Sequence, residues 1–247
     1  MYCYRPRRTS FEVLCDFPSV CVPLVRLIDL FPPIAPRSFS IASSQTVHPT
    51  RLHLCVAIVK YKTKLMMTPR WGVCSKWLAQ VEPQQTTAAL WISKGTMRLP
   101  SDPTVPIVAI GPGTGSAPFR SFMQERLNQQ ATLSVAFLGF RSSTGDFLYG
   151  NEWTKLAADG RFKVYTAFSR DQEAKVYVQH RIVQAGAVVW NAMERGGHIY
   201  VCGNAKRMPD DVKAALAQIA TTYGGYEDGV AFIDRLARSG RFLVETW

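Results

Sequence analysis

From residue 107 onward, short apolar runs alternate with helix-period segments, and this alternation restricts the fold more than any other feature of the chain. The runs are Ile107–Ile110, Leu133–Leu138, Val164–Phe168, His198–Cys202 and Phe242–Val244. Between them lie Pro118–Asn128, Asn151–Ala158, Val176–Val183, Pro209–Ala220 and Tyr226–Ala237, each with a helical period. Continuous apolar runs read as strands buried on both faces, and helical crossovers between them predict a doubly wound parallel sheet. Ligands on such a sheet bind at the carboxyl ends of the strands, so the loops there are the first places to look for chemistry.

The first part of the chain differs in character. A turn-rich stretch, Leu99-Pro100-Ser101-Asp102-Pro103, reads as a linker dividing residues 1–98 from 99–247. Before it, strands are expected at Thr9–Asp16, Phe39–Ile41, Leu52–Tyr61 and Ala89–Ile92. Short helices are expected at Pro23–Phe31 and Cys74–Leu78. Short strands broken by proline and glycine turns suggest a small antiparallel β-barrel. The expected fold class is therefore β plus α/β.

Charge narrows the partners. Against 18 Asp and Glu stand 29 Lys and Arg, a net +11, which favours anionic ligands or acidic partners. Nucleic acid is the rival, but no dense basic run or RNA-binding aromatic motif is present; Arg5-Pro6-Arg7-Arg8 fits a solvated surface segment. No apolar stretch approaches the roughly 20 residues a spanning helix needs, and no secretory signal is seen. The six cysteines form no C-x-x-C pair and the four histidines have no metal-ligand spacing. A cytoplasmic protein with reduced thiols and no metal site is the expectation.

The sharpest local motif is Gly111-Pro112-Gly113-Thr114-Gly115-Ser116-Ala117-Pro118-Phe119-Arg120, which follows a strand and opens a helix. Glycines let a backbone approach a pyrophosphate, and a helix start favours its charge. The register is not that of G-x-G-x-x-G, and taken alone the motif also fits a tight strand–helix turn. At a later strand end stand Ser169 and Arg170, followed by Lys175, Tyr177 and Gln179. Two cations, a hydroxyl and an aromatic ring suit a 2′-phosphate beside an adenine, which favours NADPH over NADH; an exposed helix start is the bland alternative. Arg141 is a third cation of the same kind. Arg37-Ser38-Phe39-Ser40 and Gly72-Val73-Cys74-Ser75 are weak signals individually.

Together these motifs form a family pattern. Pro36–Ser44, Gly72–Ser75, Gly111–Arg120, Ser169–Gln179, Tyr200–Asn204 and the terminal Glu245-Thr246-Trp247 follow the order found in diflavin reductases. The chain resembles ferredoxin–NADP reductase-like flavoproteins throughout. Its finer resemblance is to the NADPH-dependent diflavin oxidoreductase branch of cytosolic iron–sulfur protein assembly, carried by Arg5–Val13, Asp16–Pro18, Ser169–Arg181 and Gly203–Pro209. The resemblance implies hydride transfer from NADPH to FAD. It places Arg37 and Gly72–Ser75 on the FAD pyrophosphate, with Phe39 and Trp247 on opposite faces of the isoalloxazine. It puts Gly113, Thr114 and Gly115 on the NADPH pyrophosphate. Ser40, Cys202 and Glu245 would surround the hydride path, with Trp247 as a movable shield. Cys202 also fits a buried strand cysteine, and Trp247 an aromatic closing the core.

Three departures stand out. Phe is at position 39 where relatives often have Tyr, Phe140 stands where they carry Cys, and Asn204 where several have Asp. The family layout also implies a preceding FMN domain and further barrel strands. The chain is thus expected to be a partial FAD barrel, 1–98, followed by a whole NADPH domain, 99–247. Its implied partners are an FMN domain or acidic flavodoxin-like protein and, beyond FMN, an iron–sulfur assembly protein of the anamorsin type. The competing expectation is a truncated NADPH-binding module without catalysis.

Overall fold

The structure, a computed structural model, describes residues 2–4 and 7–247. Met1, Arg5 and Pro6 lie outside the described residues, and with them half of the basic cluster at the start of the chain. The described chain groups into two compact units, one of residues 1–39 and 56–90, the other of residues 40–55 and 91–247. Contacts therefore gather residues 40–55 with the second half of the chain.

In the smaller unit, helix α1 spans Ser10–Asp16, where a strand was expected. Its cause is a capping box: Glu12 N donates to Thr9 Oγ1 at 3.2 Å, and Thr9 N donates to Glu12 Oε2 at 2.7 Å. A 3-10 turn at Leu24–Arg26 leads into α2, Leu27–Leu30, as the apolar spacing predicts. Strands β1, Lys60–Tyr61, and β2, Arg70–Trp71, pair antiparallel, and α3, Val73–Gln80, follows directly. This small antiparallel sheet accords with the partial barrel expected here. The expected strand at Ala89–Ile92 is absent, and its residues are too exposed (65–70% for Leu90, Trp91 and Ile92) to gain from a pleated surface.

The larger unit holds a parallel sheet of β3 (Ile107–Pro112), β4 (Ser134–Phe140), β5 (Phe162–Phe168), β6 (His198–Gly203) and β7 (Phe242–Thr246). Their order is β5-β4-β3-β6-β7. Helices α4 (Ala117–Asn128), α5 (Gly150–Ala158), α6 (Val178–Gln184), α7 (Gly186–Glu194), α8 (Met208–Gly224) and α9 (Gly229–Arg238) cover it. Alternation along β3 divides the core. Val108 and Ile110 pack with residues of α6 to α9, whereas Ile107 and Ala109 pack with Phe119, Met123 and Trp153 of α4 and α5. Helices on both faces make the sheet doubly wound. Of the expected strands Phe39–Ile41 and Leu52–Tyr61, the structure keeps one antiparallel bridge, Ile41 to Leu54, and, at the end of the second, strand β1. Among the described residues no helix is long and apolar enough to cross a membrane, and no cluster of metal-ligating side chains occurs.

Candidate active site

The strand order reverses between β3 and β6, and a crevice at such a switch point is where doubly wound sheets bind ligands. The glycine motif sits there. Residues Gly113–Ser116 form a 3-10 turn that runs into α4, and the Ser116 hydroxyl closes it by donating to Gly113 O at 2.8 Å. Its glycines are not interchangeable. A Cβ on Gly115 would lie 2.1 Å from Cys202 O, so the turn is pressed onto the end of β6. Gly113 has φ +58°, and nothing lies within 4 Å of where its Cβ would be. The turn thus offers an open surface above a sealed base, at a helix start whose first N–H groups lack helical acceptors. That arrangement fits a pyrophosphate.

Three expected site residues come together beside this turn. Cys202 and Glu245 are partners in the parallel register of β6 and β7. Burial pushes the Cys202 thiol up to about 12, the Glu245 carboxylate adds to the rise, and a hydrogen bond with Ser40 opposes it. Thr96, absent from the expected set, donates its hydroxyl to Glu245 Oε1 at 2.9 Å. Trp247 keeps an exposed side chain, but its backbone N donates to Gly203 O and its carbonyl accepts from Ala205 N, both at 3.1 Å.

At the far ends of β4 and β5 the loops are stitched together. Arg170 N donates to Arg141 O at 2.8 Å, and Ser169 N to Phe140 O at 3.0 Å. Asp146 accepts from the backbone N of Arg141 and Ser142 at 2.9 and 2.7 Å and pairs with the Arg141 side chain at 3.4 Å. Asp171 accepts from Ser143 N at 2.9 Å. Arg170 and Lys175 are exposed and pair with no carboxylate among the described residues. Tyr177 caps α6 and is 43% exposed, while Gln179 reaches Asp211 at 3.4 Å. Phe140 packs against Phe147 and Phe168, with centroids 5.1 and 6.3 Å away, so an aromatic cluster fills the place beneath these loops.

In the smaller unit, Gly72 is the N-cap of α3, and Gly72 N donates to Val59 O at 2.8 Å. A Cβ there would fall 2.8 Å from both Ser75 Oγ and Val59 Cβ. The Ser75 hydroxyl is already engaged, accepting from Val59 N at 3.1 Å and donating to Gly72 O at 3.3 Å. The free donors at this helix start are therefore backbone N–H groups of Val73, Cys74 and Ser75. Arg37 is exposed and turns back on the Ala35 carbonyl; Phe39 is half-buried.

Arg120, Glu152 and Tyr149, outside the expected site, form a further cluster. Arg120 is 8% exposed, holds Glu152 through Nε and Nη2 at 2.8 and 2.9 Å, and lies 4.6 Å over the Tyr149 ring.

Comparison with known proteins identifies two domain families. Residues 4–77 match the FAD binding domain family, and residues 109–214 match the oxidoreductase NAD-binding domain family. The whole chain is 49% identical to NADPH-dependent diflavin oxidoreductase 1 of Bos taurus, 47% to that of Danio rerio and 41% to that of Arabidopsis thaliana. In each case the chain spans 42% of the relative's length. Both domain families occur in this order, and the chain is similar along its full length to the diflavin oxidoreductases.

Proposed function

We propose that this chain is an FAD-dependent NADPH oxidoreductase unit that passes hydride from NADPH to FAD. The observation that carries the reading is the pairing of Cys202 with Glu245 next to the Gly113–Ser116 turn at the switch point. Residues 1–98 are assigned to FAD and 99–247 to NADPH. The turn holds the NADPH pyrophosphate through Gly113, Thr114 and Gly115. Ser169, Arg170, Lys175, Tyr177 and Gln179 take its 2′-phosphate and adenosine, with Arg141 as a further cation. Arg37 and the backbone of Gly72–Ser75 hold the FAD pyrophosphate, and Phe39 and Trp247 cover the two ring faces.

Bound flavin and nicotinamide supply the redox chemistry, and the protein supplies orientation and charge. Cys202 stays a thiol at neutral pH, so it packs and donates weakly rather than acting as a nucleophile. Glu245, held by Thr96, presents a fixed acceptor. Two backbone hydrogen bonds hold the main chain of Trp247, so rotation of its exposed indole is the shielding motion.

Electrons then pass to FMN, in an FMN domain or an acidic flavodoxin-like partner, and on to an iron–sulfur assembly protein of the anamorsin type in the cytoplasm. Charge supports an acidic docking partner: residues 1–98 hold 13 of the basic residues but only four of the acidic ones. One specific observation favours a second reading, an NADPH-binding module without flavin. The smaller unit has one two-stranded sheet and leaves Leu24, Val25, Ile28 and Ile34 74–83% exposed. A visible spectrum after FAD loading, followed by anaerobic NADPH, decides. Retained flavin that bleaches supports the oxidoreductase; a colourless chain still stabilised by NADPH supports the module.

A further inference from the structure

Segment 40–55 joins the larger unit through a row of hydrogen bonds along one face of α4. Arg120 Nη1 donates to Ala42 O at 2.6 Å and meets His53 Nδ1 at 3.1 Å. Ser121 Oγ donates to Ser43 O at 3.0 Å. Gln124 Oε1 accepts from Ser44 N at 3.0 Å, and Glu125 Oε2 accepts from Ser44 Oγ at 2.6 Å and Thr46 Oγ1 at 2.5 Å. Positions 120, 121, 124 and 125 share one helical face, and they meet residues 42, 43, 44 and 46 in order. The segment is itself a hairpin, with Ala42 N donating to His53 O at 2.8 Å and His53 N to Ser43 Oγ at 3.0 Å. Ala42, Ser43 and Ser44 are all buried.

The anchor of the row is Arg120. Its guanidinium is fixed by two bonds to Glu152 and by the Tyr149 ring, so the remaining donor is aimed before Ala42 arrives. Tyr149 holds φ +57°, an unfavourable backbone for a residue with a side chain, and its ring lies against Arg120. The same helix begins in the glycine turn that seals the end of β6 over Cys202. One rigid element therefore fixes both the nucleotide turn and, two residues from Ala42, Ser40.

We propose that the α4 face Arg120, Ser121, Gln124 and Glu125 positions Ser40 against Cys202, with Arg120 as the principal positioning residue for hydride transfer. The proposal rests on the oxidoreductase reading for the reaction it serves, but its geometry is tested without flavin. Loosening the row releases Ser40 and uncovers Cys202 while leaving the glycine turn and the Arg170 loop in place. Misplacement of this kind lowers the rate of the step more than it lowers nucleotide affinity.

The test uses the full chain with Ser121→Ala/Gln124→Ala, which keeps the Arg120–Glu152 pair, and with Arg120→Lys, which keeps the charge but not the two-pronged geometry. Alkylation of Cys202 by iodoacetamide, mapped by mass spectrometry, is expected to accelerate several-fold in both. Anaerobic bleaching of FAD by NADPH is expected to slow about tenfold or more, with NADP+ affinity by calorimetry within about twofold of the parent. Unchanged Cys202 alkylation in the double variant overturns the proposal, as does a loss of NADP+ affinity equal to the loss of rate. If the parent chain never bleaches, the oxidoreductase reading fails, and the alkylation rates still decide the positioning.

Discussion

Substituting Gly115 by alanine probes the junction on which the site is built. The added Cβ would lie 2.1 Å from Cys202 O, 2.8 Å from Cys202 C and 3.1 Å from Gly203 Cα. Ordinary carbon contacts are about 3.5 Å, so either the turn or the end of β6 must move by more than about 1 Å. Neither moves readily. Strand β6 is paired on both sides, by β3 and β7, and Val201 and Cys202 are fully buried. Overpacking of a rigid core costs about 1–3 kcal/mol, and the backbone nature of every contact here places Gly115→Ala near 3 kcal/mol. For a domain of this size that is a fall in Tm of about 6–12 °C. The control is Gly113→Ala, which meets nothing within 4 Å and carries only the left-handed φ of +58°, for about 1–2 kcal/mol. Urea unfolding of both variants measures the difference. NADP+ titration should show Gly115→Ala weakened the more, since the turn itself is displaced. If Gly115→Ala is no less stable than Gly113→Ala, the turn is not seated on β6 as described.

Arg170→Ala and Lys175→Ala should each lower the preference for NADPH over NADH by about ten- to a hundredfold, the effect of one charged hydrogen bond. Stability should stay unchanged, because neither side chain pairs with a carboxylate among the described residues. A preference that does not move would place the 2′-phosphate elsewhere. Cys202 gives a pH signature. Its thiol is raised from 9.0 to about 12, so between these values the unfolded chain loses a proton that the folded chain keeps, and stability falls as pH rises. The slope is at most about 1.4 kcal/mol per pH unit, and Cys202→Ser should remove it when unfolding is compared from pH 8 to 11. Equal slopes for the two proteins would mean an accessible thiol. Arg126 is fully buried with Nε on Ser134 Oγ at 2.6 Å and Nη2 on Val105 O at 3.0 Å. Arg126→Met strands those acceptors and should destabilise by about 2–3 kcal/mol without changing NADP+ affinity; calorimetry reads both.

The parallel sheet was legible because strands buried on both faces leave continuous apolar runs, as Ile107–Ile110 does. The observed strands extend past those runs where Gly139, Phe140, Phe162 and Lys163 continue the ladder. Helix α7 was hidden because Ala185-Gly186-Ala187 resembles a helix end. Gly186 is instead required where a Cβ would meet the Tyr223 ring at 2.4 Å. Helix α1 was readable from Thr9-x-x-Glu12, but its apolar residues were weighed as a strand. The glycine turn announced itself, whereas the different duties of Gly113 and Gly115 did not, since these depend on what lies beyond the turn. Cys202 beside Glu245 follows from register, a property of pairing that no single segment carries. Thr96, bonded to Glu245 across 149 positions, leaves no local signal at all.

The three groups at the centre of the site are held by forces of different stiffness. Cys202 is set by backbone contact with Gly115 and by full burial, and Glu245 by the ladder that pairs it with Cys202. Movement of either requires the sheet to deform, and close-packed interiors resist that. Ser40 is held otherwise, through side chains of α4 reaching to Ala42, Ser43 and Ser44. Such hydrogen bonds are worth about 1 kcal/mol each net of water, so only their number and the pre-aimed Arg120 make the segment rigid. The compensation is visible at Tyr149. A non-glycine residue is kept in left-handed backbone at the start of α5, where its ring supports Arg120 and its hydroxyl engages Cys55. Around the site, the left-handed non-glycine backbone is at Tyr149, behind the anchor of the adjustable member, which makes Ser40 the point at which small changes in packing would tune the site.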